Sequence, residues 1–289
     1  MKTYHQIVRD LCQVYPEGEA RAMARWLCEE CLGLSQTDLL LDKDNHLSAD
    51  DLVIIKEITS RLLQHEPIQY ILGTVDFCGH RFMAAPGALI PRPETAELVS
   101  RVLASLAPPA SQDTAPLRIL DIGTGTGCIA LSLALALPGA QVTAWDVSEA
   151  ALAIARENDR RHPEAQVVFE LEDILHPRPT ERQWDIIVSN PPYVRQSEAR
   201  AMEKRVLNYE PHLALFVPDA DPLLFYRAIA QFARQHLCDG GQLWLEINEA
   251  LGAETAHLIE ENGLAGAEVL KDIHGRDRML HAINLKKHR

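Results

Sequence analysis

Hydrophobic positions in the first part of the chain recur at helical spacing. Leu52, Ile55, Ile58 and Leu62 fall on one helix face. Ser48 and Asp51 form a capping-box pattern just before them. Glu66-Pro67 ends that run, because proline lacks the N–H and crowds the preceding turn. An earlier helix is predicted over residues 17–32, with Met23, Leu27 and Cys31 on one side and Gly33 as its stop. Residues 1–65 therefore read as helices only.

The pattern changes near Val75. Phe77, Gly79, Phe82, Pro86, Gly87, Pro91 and Pro93 predict short strands and turns, so residues 75–95 read as a connector. The polar stretch 108–116 reads as a surface loop. From Leu117 onward, short apolar runs alternate with helical segments. Strands are expected over 118–122, 141–145, 167–171, 186–189 and 242–247, with Gly240-Gly241 as the turn into the last. Helices are expected over 128–137, 149–160, 222–237 and 249–261. Segments 268–273 and 279–285 read as late strands that pair as an antiparallel edge. Such alternation specifies an α/β fold with a parallel sheet covered by helices.

Composition narrows the classes. Apolar residues are 47% and charged residues 24% of 289, which is ordinary globular usage and excludes a disordered or collagen-like chain. The formal charge is −13, and residues 1–85 carry 8 basic and 13 acidic side chains, a net of −5. An acidic surface repels phosphate backbones, so direct nucleic-acid binding is not expected. The N-terminus has no signal-peptide core, and the longest apolar run, near residues 129–137, is too short to span a bilayer. No membrane association is expected. The six cysteines show no paired framework. Cys28 and Cys31 have CxxC spacing without a second pair, and read as small apolar residues on one helix face. No metal site is expected, and the compartment is the reducing cytoplasm.

The first chemical signal is Asp121-Ile-Gly-Thr-Gly-Thr-Gly127, between a predicted strand and a predicted helix. Glycines there let the backbone pass close to a ligand, at the sheet end where doubly wound folds bind ligands. A tight strand–helix turn is the plainer explanation. The spacing is G-x-G-x-G rather than the dinucleotide G-x-G-x-x-G, and no Gly-Lys-Ser/Thr follows, which excludes a P-loop. Asp146 closes the second strand, 19 residues after Gly127, where a carboxylate can accept from both ribose hydroxyls of an adenosine ligand. Otherwise it is an acid at a helix N-terminus. Asp173 follows the third strand and is either a contact for an adenine amino group, with Ile174 against the ring, or a solvated loop acid. Gly123, Thr124, Gly125, Thr126, Gly127, Asp146, Asp173 and Ile174 together suit a nucleoside, and the loop spacing favours S-adenosylmethionine over a nicotinamide cofactor.

The more specific signal is Asn190-Pro191-Pro192-Tyr193, directly after an apolar strand. Two prolines remove two N–H donors and leave carbonyl oxygens that only accept. A substrate –NH2 can give one hydrogen to the Asn190 side chain and one to the Pro191 carbonyl. Tyr193 can pack its ring on a flat substrate group and near a sulfonium. The expected nucleophile is a planar nitrogen, either an amide or an exocyclic base amine, and no His, Cys or Ser nucleophile is required.

With these motifs the sequence resembles the release-factor glutamine methyltransferases. The resemblance also rests on Glu66-Pro-Ile-Gln-Tyr-Ile-Leu-Gly73, Phe77 and Gly79, Pro86-Gly-Ala-Leu-Ile-Pro-Arg-Pro-Glu-Thr95, Glu210-Pro211 with Ala214-Leu215, Gly240-Gly241, and Leu245-Glu246-Ile247. It implies a helical N-terminal domain over 1–73 that docks substrate, a connector hairpin over 74–95, and a class I Rossmann-like seven-stranded methyltransferase domain over 96–289. It implies S-adenosylmethionine as cofactor and S-adenosylhomocysteine as product, with contacts at Gly123 to Gly127, Asp146, Ile174 and Asn190. The implied substrate is the glutamine of the Gly-Gly-Gln motif in peptide chain release factors, methylated on its side-chain nitrogen by a monomeric enzyme. Asn190, Pro191, Pro192 and Tyr193 are the implied substrate residues. Two positions depart from the family pattern: Ala96 stands where an acid is usual, with Glu97 one place later, and Ile174 stands where an aromatic is frequent. Arg92 and Glu94 either order the cleft or form a surface ion pair; Arg276 and Arg278 either touch the protein substrate or belong to an ordinary turn. The competing expectations are methylation of exocyclic base amines in nucleic acid, a non-catalytic release-factor binding module, and an NAD-dependent oxidoreductase.

Overall fold

Ser48 and Asp51 form the expected capping box: the Ser48 hydroxyl accepts from the Asp51 N–H, and the Asp51 carboxylate accepts from the Ser48 N–H at 3.0 Å. They start one of the helices in the first of two units into which the computed structural model divides. The structure describes residues 3–41, 43–106 and 115–285. The first unit is residues 1–74 with 203–209, and the second is 75–202 with 210–289.

In the first unit, α1 (Thr3–Leu11), α2 (Glu17–Leu32), α3 (Gln36–Leu40), α4 (Ala49–Leu63) and α5 (Ile68–Leu72) follow in order. Ile7, Leu11, Leu27, Ile55, Ile58 and Leu62 form their shared core. Leu52, expected on that face, is largely exposed. Gly33 ends α2 at φ 63°, a left-handed position that suits glycine. Cys28 lies in the core, where burial pushes its thiol up to about 12, and burial also raises Cys31. Both thiols thus stay protonated at neutral pH, the form poorly suited to metal or redox work. Residues 203–209 join this unit: Arg205 pairs with Glu19, and the Tyr209 hydroxyl donates to the Gln64 carbonyl at 3.0 Å.

The second unit opens with β1 (Thr74–Phe77) and β2 (His80–Met83), paired in a two-stranded sheet. Cys78 and Gly79 between them have φ of 48° and 79°, the two positive values of a type I′ turn. α6 (Pro93–Ser105) begins inside the expected connector, with proline in the first helical turn, where a missing N–H costs nothing. Then come β3 (Arg118–Ile122), α7 (Cys128–Ala136), β4 (Gln141–Asp146), α8 (Glu149–Arg161), β5 (Val167–Leu171), β6 (Trp184–Ser189) and β7 (Val194–Arg195). After α9 (Lys204–Tyr209), which lies in the first unit, follow β8 (Phe216–Val217), α10 (Leu224–His236), β9 (Leu237–Glu246), α11 (Gly252–Glu261), β10 (Ala265–Lys271) and β11 (Asp277–Asn284). The predicted loop over 108–116 lies mostly outside the described residues.

Seven strands form one sheet in the order β10-β11-β9-β6-β3-β4-β5. The five from β9 to β5 run parallel, and β11 lies antiparallel between β9 and β10. The chain leaves β3 toward β4 and β5, then returns to β3's other side with β6. The carboxyl end of β3 is therefore a topological switch point, where open α/β sheets bind ligands. β3, α7 and β6 read as almost uninterrupted apolar runs because helices cover the sheet. The glycine pair at 240–241 is not the start of a strand. β9 already begins at Leu237, and its register against β6 jumps from Trp184↔Leu237 to Ile186↔Gln242. Gly240 takes φ 76°, and a Cβ on Gly241 would lie 3.0 Å from the Cys238 carbonyl oxygen, so the pair builds a bulge within the strand. Among the described residues no helix is long and apolar enough to cross a membrane.

Candidate active site

Gly123, Gly125 and Gly127 all have left-handed φ, at 74°, 56° and 81°. A Cβ on Gly123 or Gly125 would meet open space, whereas one on Gly127 would lie 3.1 Å from the Ala155 methyl and 3.2 Å from Leu131. The first two glycines give the turn its conformation and leave the cleft clear. The third lets α7 pass close to α8. Gly123 and Thr124 N–H groups both donate to the Trp145 carbonyl, tying the loop to the end of β4. Beneath it, Asp121 is fully buried. Its Oδ2 accepts from the Thr124 hydroxyl at 2.6 Å and from the Ala130 N–H at 3.2 Å.

The loop forms one wall of a cleft at the carboxyl ends of the parallel strands. Ile122, Gly123, Thr124, Gly125, Thr126, Asp146, Asp173, Ile174, Asn190, Pro191 and Pro192 all line it. The cleft thus brings together the predicted residues, except that Gly127 and Tyr193 are not among those lining it. Asp146 Oδ2 accepts from the Gly125 N–H at 2.8 Å and Oδ1 from the Ser148 N–H at 2.8 Å. Each carboxylate oxygen retains a further acceptor site for a hydroxyl. Burial raises the Asp146 carboxyl, and these backbone donors pull it back down. Asp173 Oδ1 accepts from the Leu175 N–H at 2.9 Å, and Ile174 is buried in the core cluster that also holds Ile122 and Trp145. Acidic groups, a loop free of Cβ obstruction and an apolar floor fit a cationic nucleoside.

Asn190 follows β6, whose last residue is locked to β3 by a Ser189 hydroxyl donating to the Ile122 carbonyl at 2.7 Å. The Asn190 Nδ2 donates to the Thr95 hydroxyl at 3.1 Å. Tyr193 is half-buried beside the core, and its hydroxyl donates to Glu246 Oε1 at 2.8 Å. The Asn248 side chain donates to the Tyr193 carbonyl at 3.1 Å, so Tyr193 is tied at both its hydroxyl and its backbone.

The connector supplies residues that motif reasoning left without a role. Ala88, Pro91 and Thr95 line the cleft, as do Pro211, Leu213 and Ala214 from the segment after the Asn-Pro-Pro-Tyr turn. Glu210 joins these two stretches: it is buried, pairs with Arg92, and accepts from the Ile90 N–H at 3.1 Å. The Arg92 ion pair is therefore anchored on a buried carboxylate and fixes the cleft rim. The signal was present in the paired matches at 86–95 and 210–215. Glu172, also on the wall, is buried and bonded to Arg178, and had no motif to mark it. Arg278 lies near Glu249 and Asp272, at 3.3 and 3.5 Å, with only 13% of its side chain exposed. That position suits an internal charge pair; Arg276 is exposed and 3.6 Å from Glu249. Glu97, displaced from the family's acid position at Ala96, accepts from the Ile273 N–H at 3.2 Å.

The geometry gives a direct expectation for Asp146→Ala. Removing a charged acceptor for ribose hydroxyls costs about 1.5–3 kcal/mol, so S-adenosylmethionine affinity falls about tenfold or more. Titration calorimetry at constant salt measures it, and unchanged affinity would remove Asp146 from the ribose site.

A family model described as "Methyltransferase small domain" matches residues 98–212, and one described as "PrmC N-terminal domain" matches residues 4–73. The chain is 47% identical over 277 residues to a protein of Bacteroides thetaiotaomicron named release factor glutamine methyltransferase, covering 96% of this chain and 97% of that one. It is 43% identical to one of the same name from Flavobacterium psychrophilum, covering 97% and 98%. Among solved structures, a methyltransferase from Pyrococcus furiosus aligns with a TM-score of 0.51 at 19% identity, covering 78% of this chain and 98% of that one. A 16S rRNA N2 G1207 methyltransferase from T. thermophilus, in complex with AdoMet and guanosine, aligns with a TM-score of 0.53 at 20% identity, covering 73% and 49%. These two likenesses concern the class I methyltransferase fold.

Proposed function

The chain belongs to the release factor glutamine methyltransferase family, and from that premise we propose how its cleft methylates the glutamine of the Gly-Gly-Gln motif. The enzyme transfers a methyl group to the side-chain amide nitrogen of a release-factor glutamine. S-Adenosylmethionine is the proposed donor, and when bound it supplies an electrophilic methyl on a sulfonium. The residues that would hold it are Gly123 to Thr126, Asp146, Asp173 and Ile174, with Gly127 letting α7 start close behind the loop.

The observation that carries this assignment is that Asn190, Pro191 and Pro192 line the same cleft as the glycine loop. An amide nitrogen is a poor nucleophile because its lone pair is delocalised. Asn190 Oδ1 and the Pro191 carbonyl accept its two hydrogens, which orients the nitrogen and favours localised density on it. The nitrogen–carbon bond forms as the carbon–sulfur bond breaks, and one amide proton leaves to solvent. Catalysis here is positioning by acceptors fixed on the backbone turn. Tyr193 contributes by anchoring the turn through Glu246.

The first unit is proposed to dock the release factor, since the cleft residues all come from the second. The enzyme is proposed to act as a monomer in the cytoplasm, which suits its unpaired cysteines.

Mass spectrometry of release-factor peptides after incubation with S-adenosylmethionine tests the whole reading. One methyl group is expected on the Gly-Gly-Gln glutamine, and DNA incubated in parallel stays unlabelled. A release factor with glutamate in place of that glutamine takes no label, since no nitrogen remains to accept it. Persistent labelling of the glutamate variant would show that the methylated atom lies elsewhere.

A further inference from the structure

Glu246 ends β9 with 1% of its surface exposed, next to the strand that leads into the Asn-Pro-Pro-Tyr turn. Two hydroxyls reach its carboxylate: Thr95 at 2.7 Å on Oε2 and Tyr193 at 2.8 Å on Oε1. A hydroxyl has one hydrogen to give; burial raises the Glu246 carboxyl, while the Thr95 and Tyr193 hydroxyls and the charge of Arg278 favour its ionised form, and in that form it only accepts. Thr95 therefore donates to Glu246, and toward Asn190 its oxygen can only accept.

That fixes a polarity. The Asn190 atom 3.1 Å from the Thr95 oxygen is the –NH2 nitrogen. An Asn190 amide turned the other way would set two acceptor oxygens against each other with no hydrogen between them. The amide oxygen is thus left for the cleft, on the side that must accept from a substrate –NH2. Asn190 alone has no such preference, because its two ends are nearly isosteric.

We propose that Glu246 and Thr95 are positioning residues for methyl transfer: the buried carboxylate orients the Thr95 hydroxyl, and Thr95 holds the Asn190 amide with its oxygen toward the substrate. The inference rests on Asn190 being the substrate-amide acceptor. Neither residue needs to touch the reacting atoms. Thr95 comes from α6 and Glu246 from β9, so the sheet and the connector helix together set the orientation of one side chain on a third element. Tyr193 uses the second carboxylate oxygen, which keeps Glu246 from rotating away.

The test is a kinetic cycle on the full-length enzyme with intact release factor. Thr95→Val keeps the shape and removes the hydroxyl. It is expected to lower kcat about tenfold, because the amide then samples the wrong orientation, with KM and cofactor affinity little changed. Thr95→Ser restores the hydroxyl and is expected to recover most of the rate. In an Asn190→Ala background, Thr95→Val is expected to cost nothing further, since the side chain it orients is gone. Thr95→Ala is read the same way should the valine variant not fold. Full additivity of the Thr95 and Asn190 losses, or a serine variant as slow as valine, would overturn the relay. A loss at Asn190 with none at Thr95 removes this inference alone. Full activity of Asn190→Ala removes the substrate reading beneath it as well.

Discussion

Asn190→Ala lowers the rate of methyl transfer to the release factor on the order of 100-fold, the penalty that poor orientation of a reacting group carries. The side chain is half-buried, so its loss disturbs the fold little, and the proposed cofactor contacts at Asp146 and the glycine loop are left in place. Calorimetry with S-adenosylmethionine is therefore expected to show detectable affinity in a variant that barely turns over. Asn190→Asp is the sharper substitution. A carboxylate still accepts from –NH2, but it places a second acid against the Thr95 hydroxyl, whose hydrogen Glu246 already takes at 2.7 Å. Its charge also draws the sulfonium toward itself. Both variants are expected to fold and to lose most activity in a single-turnover assay. A rate within a few-fold of wild type for Asn190→Ala, at unchanged cofactor affinity, would mean that Asn190 is not the substrate-amide acceptor.

How much of this was legible beforehand depends on the range of the interactions concerned. The strand 118–122 and the helix starting at Cys128 are encoded in a local apolar run and a glycine loop, and both appear where expected. The position of Asp146 at the end of β4 and the turn at Asn190 were legible because backbone chemistry ties them to strand ends. The insertion of β11 between β9 and β10 was not, since two late apolar strands pair equally well as an edge hairpin or within the sheet. The bulge at Gly240 was read as a turn because glycine pairs signal both. Thr95, Glu210 and Glu246 had no individual signal: each acts through a partner 95 to 151 residues away or at a separation of that order, as in the 151-residue gap between Thr95 and Glu246. The Tyr193 hydroxyl bond to the buried Glu246 carboxylate was not legible, since it joins residues 53 apart in the chain.

Asp121→Asn is expected to flatten the pH dependence of stability. Asp121 is fully buried, and burial pushes its carboxyl up to about 7, with the charge of Asp146 adding to the effect and the Thr124 and Ala130 donors opposing it. In the unfolded chain the same carboxyl titrates near ~3.9. Between those values the folded state keeps a proton that the unfolded chain has released. Stability from this group is thus fully present below about pH 4 and is lost as the pH rises through about 7, a change on the order of 4 kcal/mol. Asparagine keeps an oxygen for the Thr124 hydroxyl and the Ala130 N–H and cannot ionise. Its –NH2 takes the place of Oδ1, an atom with no hydrogen-bond partner among the described residues. The variant is therefore expected to match wild type in urea unfolding near pH 4 and to exceed it at pH 8. Its cofactor affinity should move the opposite way, because an ionised Asp121 puts negative charge under the loop that faces a sulfonium. Equal pH slopes for the two proteins would show that Asp121 is ionised in the folded state throughout, and that the glycine loop carries its charge at no cost to stability.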